Sequence, residues 1–272
     1  MAAVTRPDRR GDGAAVSTVR SSAENHWPAS AIGFGLSLAV ACMGACPSAN
    51  AQEATVPSFS AAAVGAPSAS WHFATLPGKA PTQFEIVELD DVRVLKVESN
   101  ESYGNLIHVL RITPTHRAFL AWRWRLDQIL AEADIRTRTG DDSAAKICLF
   151  FDFDAGRLSL GERTRLSIAR SRTGEHLPAE TLCYVWDNKQ PVGTGLVNAF
   201  TSRIRFIVLQ SGTARLGKWV DERRDVVADY KRMFGDESPD QVPDIIGVAI
   251  QADSDNTHGH GLSYVGDITL LP

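Results

Sequence analysis

The sequence predicts an all-β protein: a jelly-roll-like β-sandwich of the galactose-binding or carbohydrate-binding-module type, with one short helix. Three observations predict it. Apolar residues recur with a period of two in several short runs, most clearly in AFLAWRWRL and SAAKICLFFDFD. Gly, Pro, Asn and Asp punctuate the chain between those runs. A helical period occurs in one stretch only, KWVDERRDVVADYKRMFG. Many short strands separated by turn signals make sandwiches or jelly rolls rather than βαβ folds.

Taken in order, the chain begins with a segment that reads as targeting rather than fold. Arg6, Arg9, Arg10 and Arg20 precede a mostly small and apolar run from Ala29 to Cys46, and Ala49-Asn50-Ala51 fits the small-x-small cleavage rule. We therefore expect a signal peptide over residues 1–51 and a periplasmic or secreted protein. Cys42 and Cys46 lack the Leu that a lipoprotein box places before its cysteine. Residues 52–69 are rich in Ala, Ser and Pro, lack a period and read as a flexible leader. Residues 70–272 read as a single β-sandwich domain.

Within that domain, QFEIVEL and VRVLKVES flank Asp90-Asp91 and predict a hairpin. A strand follows from Asn105 to Ile112, stopped by Pro114. In the next strand Leu120, Trp122, Trp124 and Leu126 share one face, and Arg123 and Arg125 the other. Asp127 to Ala133 fits a short helical turn. Ile147, Leu149, Phe151 and Phe153 then oppose Lys146, Asp152 and Asp154. The basic, turn-rich stretch between Ala155 and Pro178 reads as a surface excursion. TLCYVW is a strand, VGTGLVNAF a glycine-spaced loop, and SRIRFIVLQ a strand with Ile204, Phe206 and Val208 facing inward, opposite Arg203 and Arg205. In the helix Val227, Tyr230 and Phe234 share a face, with Asp225 as N-cap and Gly235 as stop. Two last strands, DIIGVAIQAD and LSYVGDITL, flank the loop Ser254 to Gly261. The reading totals roughly nine strands.

Composition narrows the function classes. At 272 residues, 44% hydrophobic and 22% charged, the chain can bury a sizeable core. A net charge of -4 without Lys/Arg blocks argues against nucleic acid. Past the leader no apolar run is long enough to span a bilayer. Cleavage after Ala51 leaves Cys148 and Cys183, each opposite its strand's large apolar residues. One disulfide suits an oxidising compartment, two buried free thiols are the alternative, and both readings stay open.

Candidate chemistry is set by the carboxylates and arginines. Asp253 and Asp255 lie on one side of a strand end and Asn256 follows, a set of hard oxygen ligands suited to calcium, with Asp267 as a further ligand. The alternative is a self-capped polar turn. His258 and His260 read as solvated loop histidines. Asp141 and Asp142 are the acid/base candidates if the chain is an enzyme, with Asp255 as counterpart, because glycoside hydrolysis needs two carboxylates across a sugar. Arg123, Arg125, Arg203 and Arg205 form either a cross-strand charge ladder or a groove for an anionic or hydroxyl-rich ligand, joined by Asn256. Trp122, Trp124 and Trp186 belong to the core, so a stacking surface must use Trp71, Phe200 or Trp219. No Ser/His/Asp elbow, P-loop or dinucleotide fingerprint occurs.

The segments AWRWR, TRTGDD, LCYVWDNKQPVG, NAFTSRIRFIVLQSG, WVDERRDVVADYKRMFG and IQADSDNT…YVGDI, in this order from Trp71 to the end, resemble the uncharacterised bacterial family catalogued as domain of unknown function 3047. The resemblance implies export but no activity. Cys183 stands where the family's pattern has Asn, and the His258-Gly259-His260 loop departs from it. More distantly, Asp267-Ile268 on the last strand is similar to jelly-roll carbohydrate-binding domains, where a structural calcium is frequent. The resulting expectation is an exported, non-catalytic β-sandwich that binds a glycan or another polar envelope ligand. The alternatives are a hydrolase or lyase of envelope polysaccharide and a protein-interaction domain.

Overall fold

The computed structural model describes residues 55–238 and 241–271. The expected signal peptide, its cleavage after Ala51, and Cys42 and Cys46 lie outside the described residues. Among those described, the elements run β1 (His72–Ala74), β2 (Ala80–Pro81), β3 (Gln83–Leu89), β4 (Val92–Asn100), β5 (Ser102–Ile112), β6 (Phe119–Gln128) and β7 (Ser143–Phe151). A 3-10 turn at Ala155–Arg157 and α1 (Leu160–Thr173) follow, then β8 (Glu180–Asp187), β9 (Gly195–Val197), β10 (Ile204–Ser211) and β11 (Val220–Asp225). The chain ends with α2 (Val226–Phe234), β12 (Ile245–Asp253), β13 (His260–Val265) and β14 (Thr269–Leu271).

The strands form two sheets. An eight-stranded sheet has the order β1-β5-β12-β7-β8-β10-β9, with β2 also on β5. A six-stranded sheet has the order β11-β6-β13-β4-β3, with β14 continuing along β6 beyond a break at residues 266–268. Strands β8 and β10 pair in parallel, whereas the central run β5-β12-β7-β8 is antiparallel. The architecture is the expected all-β, jelly-roll-like sandwich.

Alternation set most of the core correctly. Leu120, Trp122, Trp124 and Leu126 of β6 pack against Ile147, Leu149 and Phe151 of β7 and Leu182, Tyr184 and Trp186 of β8 in one cluster between the sheets. The hairpin of β3 and β4 turns through Asp90 and Asp91 at φ 54 and 60, the left-handed pair that a two-residue turn requires. Helix α2 starts where Asp225 accepts from the Ala228 amide, and it buries Val227, Tyr230 and Phe234.

Five local readings change. The excursion between Ala155 and Pro178 contains a second helix, α1. A capping box of Ser159 and Glu162 starts it and Gly174, at φ 70, ends it, yet none of its residues is buried, so no apolar stripe marked it. Strand β6 continues to Gln128 where a helical turn was expected, and β9 occupies part of the glycine-spaced loop. On β10 the faces are exchanged. Ile207 and Leu209 point between the sheets, while Phe206 and Val208 join Cys148, Cys183 and Val185 in an apolar layer on the outer side of the eight-stranded sheet. A strand buried on both faces gives alternation nothing to choose between. Among the described residues the strands also number well above nine: β1, β2 and β9 are too short to show a period, β11 carries mostly charged residues, and the last expected strand is split into β13 and β14.

The stretch 52–69 differs as well, in its described part from Thr55 onward. Phe59 is buried and stacks on Trp71 at 5.2 Å. The Gly65 and Ile86 backbones exchange hydrogen bonds. Asp267, in the break between β13 and β14, accepts from the amides of Phe59 and Ser60 at 2.7 and 2.9 Å and from Ser60 Oγ at 2.6 Å. Phe59, the Gly65–Ile86 bridge and the Asp267 hydrogen bonds together dock the segment against the sandwich.

Cys148 and Cys183 are directly opposed on β7 and β8 and form a disulfide. Among the described residues no helix is long and apolar enough to cross a membrane.

Candidate ligand-binding site

Outer-facing residues of the eight-stranded sheet are read directly from the register. Tyr103 and Asn105 on β5 oppose Asp253 and Gln251 on β12. Gln251 opposes Lys146 on β7, and Cys148 opposes Cys183 on β8. Helix α1 lies over this face. Between the helix and the sheet is a cavity of about 670 Å³, lined among others by Tyr103, Asn105, Gln251, Phe150, Phe200 and Leu166. The disulfide forms part of its floor. Glu162 is the one carboxylate among its lining residues, and it is held by Ser202 Oγ at 3.0 Å and by Arg203 Nε at 3.3 Å. The cavity presents amides, a phenol and two phenyl rings, together with the charged side chains of Glu162, Arg165 and Arg203.

A buried polar cluster lies beside the cavity at the end of β7 and β12. Lys146 Nζ donates to Asp253 Oδ2 at 2.9 Å, and the Ser143 amide donates to the other oxygen of Asp253 at 2.8 Å. Burial pushes the Asp253 carboxyl up to about 7 against the pull of Lys146, and the neighbouring Asp142 and Asp141 add to the rise. Burial works against the Lys146 ammonium, but the carboxylates of Asp253 and Asp141 outweigh it and hold the group above the usual lysine range. Asp141 accepts from Asn198 Nδ2 at 2.6 Å through one oxygen, and its other oxygen is buried without a hydrogen-bond partner. Burial also raises this carboxyl.

The structure thus brings Asp141, Asp142, Asp253 and Asp255 into one region, each with its own partners. Asp142 accepts from the Thr257 amide and hydroxyl, both at 2.6 Å, and from the Asn256 amide and side chain. These bonds pin the loop after β12 to the start of β7, so Asn256 serves the fold. Asp255 pairs with Lys79 Nζ at 2.6 Å. Asp267 is not part of this cluster; it holds Phe59 and Ser60. Burial acts to raise Asp267, but the hydrogen bonds from Ser60 and Phe59 prevail and keep it below the usual range. Among the described residues no group of three or more His, Cys, Asp or Glu side chains is arranged to hold a metal ion. His258 and His260 pair with Glu101 and Glu98.

The four arginines do not share a face. Arg123 and Arg125 sit on the outer side of the six-stranded sheet, where Arg123 stacks over Trp219 at 4.5 Å and Arg125 pairs with Asp127 at 2.6 Å. Arg203 and Arg205 gather at the α2 end of the eight-stranded sheet. There Arg203 bonds Glu237 at 2.8 Å and lies 3.6 Å from Glu180, and Arg205 bonds Glu237 and packs on Phe234. Glu180 is fully buried and accepts from the Tyr230 hydroxyl, and burial pushes its carboxyl up to about 7. Of the aromatics expected to stack, Phe200 lines the cavity while Trp71 belongs to the core.

Tyr103, Asn105, Phe150 and Gln251 are cavity residues that sequence reasoning passed over. Their signal was modest: Tyr103 and Asn105 alternate with the core residue Leu106, and Gln251 follows core Ile250. With no charge or motif to mark them, they read as ordinary strand residues.

A family model described as a protein of unknown function (DUF3047) matches residues 69–269. No curated protein matches the sequence. Among solved structures, the chain is similar to the xyloglucanase domain of NopAA, a type three effector from Sinorhizobium fredii, in complex with cellobiose. The identity is 8% and the TM-score 0.39, covering 74% of this chain and 92% of that one. It is also similar to the carbohydrate recognition domain of Emp47p, at 11% identity and a TM-score of 0.38 over 80% of this chain and 94% of the other. A third is TmCBM61 in complex with beta-1,4-galactotriose, at 7% identity and a TM-score of 0.31 over 75% and 88%.

Proposed function

We propose that this chain, which belongs to the family of proteins of unknown function DUF3047, is an exported, non-catalytic domain that binds a glycan or another polar envelope ligand. The observation that carries the reading is the outer-face cavity, which sets Tyr103, Asn105 and Gln251 beside Phe150 and Phe200. A sugar ring has apolar C–H faces and a rim of hydroxyls that both donate and accept. Phenyl rings suit the faces, and amides, which carry donor and acceptor on one group, suit the rim. Export is supported by the Cys148–Cys183 bond, since disulfides persist in oxidising compartments.

The arrangement of carboxylates favours binding over hydrolysis. A hydrolase needs two carboxyl groups facing each other across the scissile bond. Asp142 and Asp255 are buried on internal partners, and Glu162 is paired with Arg203. Separation of the arginines onto different faces likewise removes the continuous basic surface that an interaction domain would use.

The test is calorimetric titration of the purified domain with cello-, laminari-, isomalto- and chito-oligosaccharides, alongside chromatography of the sugars after incubation. Saturable binding that Gln251→Ala weakens at least tenfold, with the sugars recovered intact, is the expected result. Shortened products that vanish in Asp141→Asn would replace the reading with a hydrolase.

A further inference from the structure

We infer that the ligand is a linear polymer of several units lying across the strands beneath α1, rather than a single sugar; this rests on the glycan reading of the cavity. A second cavity of about 390 Å³ opens on the same face. It is lined by His72 and Ala74 of β1, by Val109 and Arg111 of β5 and by Ile246 of β12. The two cavities have Tyr103, Asn105 and Phe150 in common on the sheet side, and Leu177 and Pro178 in common on the α1 side. They are therefore two ends of one trough, overhung by the segment that follows α1.

The direction of the trough follows from the strand order. The second cavity starts at β1 and the first ends at β10, so together they cross β1, β5, β12, β7, β8 and β10. With neighbouring strands about 4.8 Å apart, the trough measures roughly 24 Å from end to end. That length accommodates several sugar units and is far more than one ring requires. An extended chain running perpendicular to the strands meets outward side chains from each strand in turn.

Helix α1 has the attachments of a strap over this trough. Glu162, Arg165, Leu166 and Ala169 line the cavity from one side of the helix, and no residue of the helix is buried. At its start Glu162 is tied to Ser202 and Arg203. Beyond its end, Arg170 donates to the Leu177 carbonyl and His72 Nε2 lies 2.9 Å from Glu175. Polar ties at both ends and a single partly buried apolar contact between them, Leu166 against Phe153, Leu158 and Ala179, allow a long chain to be seated beneath the helix.

A chain-length series separates this inference from the reading it rests on. Di-, tetra- and hexasaccharides of each of the four oligosaccharide families above are titrated into the wild-type domain and into Val109→Trp, which fills the second cavity at an exposed position. The expected result is a tenfold or larger gain from disaccharide to hexasaccharide, lost in Val109→Trp while disaccharide affinity is kept. Equal affinity for disaccharide and hexasaccharide overturns the polymer inference and leaves the glycan reading standing. No binding at any length overturns both.

Discussion

Lys146 Nζ lies 2.9 Å from Asp253 Oδ2, and both side chains are almost completely buried beside the cavity. Asp253 also holds the first amide of β7, so the pair joins β7 to β12 beside the cavity. Removing one partner strands the other charge. Lys146→Met is expected to cost about 3–5 kcal/mol in urea unfolding. Lys146→Met combined with Asp253→Asn is expected to recover more than half of that loss.

The disulfide closes a loop of 35 residues in sequence separation, which the chain-entropy relation values at about 3–4 kcal/mol. Cys148→Ser with Cys183→Ser should therefore lower the melting temperature by roughly 10 °C. A thermal melt by circular dichroism with and without reductant measures it.

Stability should fall as pH rises through neutrality. Burial pushes the folded value of Glu180 up to about 7, so the folded state holds a proton that the unfolded chain has released. For such groups the stabilising contribution is complete below their unfolded values and is lost as pH rises through about 7. Unfolding free energies measured at pH 5 should exceed those at pH 8 by on the order of 3 kcal/mol. Glu180→Gln should flatten the slope.

Phe200 is half exposed at the cavity rim. Phe200→Ala is expected to weaken glycan binding tenfold or more while changing stability by less than about 0.5 kcal/mol. Arg123→Ala, on the opposite sheet, should leave affinity unchanged. Calorimetry on both variants, with melts as the folding control, decides the matter.

Phe59→Ala should cost about 3–5 kcal/mol, the usual penalty for emptying a phenylalanine site in a core. A free leader would tolerate the change at no cost. Chemical denaturation of the variant distinguishes the two.

How much the sequence disclosed depended on the number of buried faces. Trp122 and Trp124 were assignable because β6 has one wet face, marked by Arg123 and Arg125. Phe206 was assigned to the wrong side because β10 is apolar on both. Helix α1 left its signature at its ends, in Ser159, Glu162 and Gly174, and not along its length. The cavity was hidden because Tyr103, Asn105 and Gln251 acquire meaning only through the register of β5 and β12, and register is a long-range property. Asp141, Asp142, Asp253 and Asp255 stood out in the sequence as candidate acid/base or ligand carboxylates. Sequence could not show that Lys79, Lys146, Asn198 and Thr257 would occupy them.

Asp267 and the Phe59 amide are 208 positions apart along the chain, so the segment before β1 is held by the break between β13 and β14. A nascent chain emerging from the ribosome presents Phe59 and Trp71 early and must wait for the β13–β14 break before they have a lid. Until that moment the apolar interior is open to water and to chaperones. The contact that closes the segment before β1 is therefore among the last that synthesis makes available.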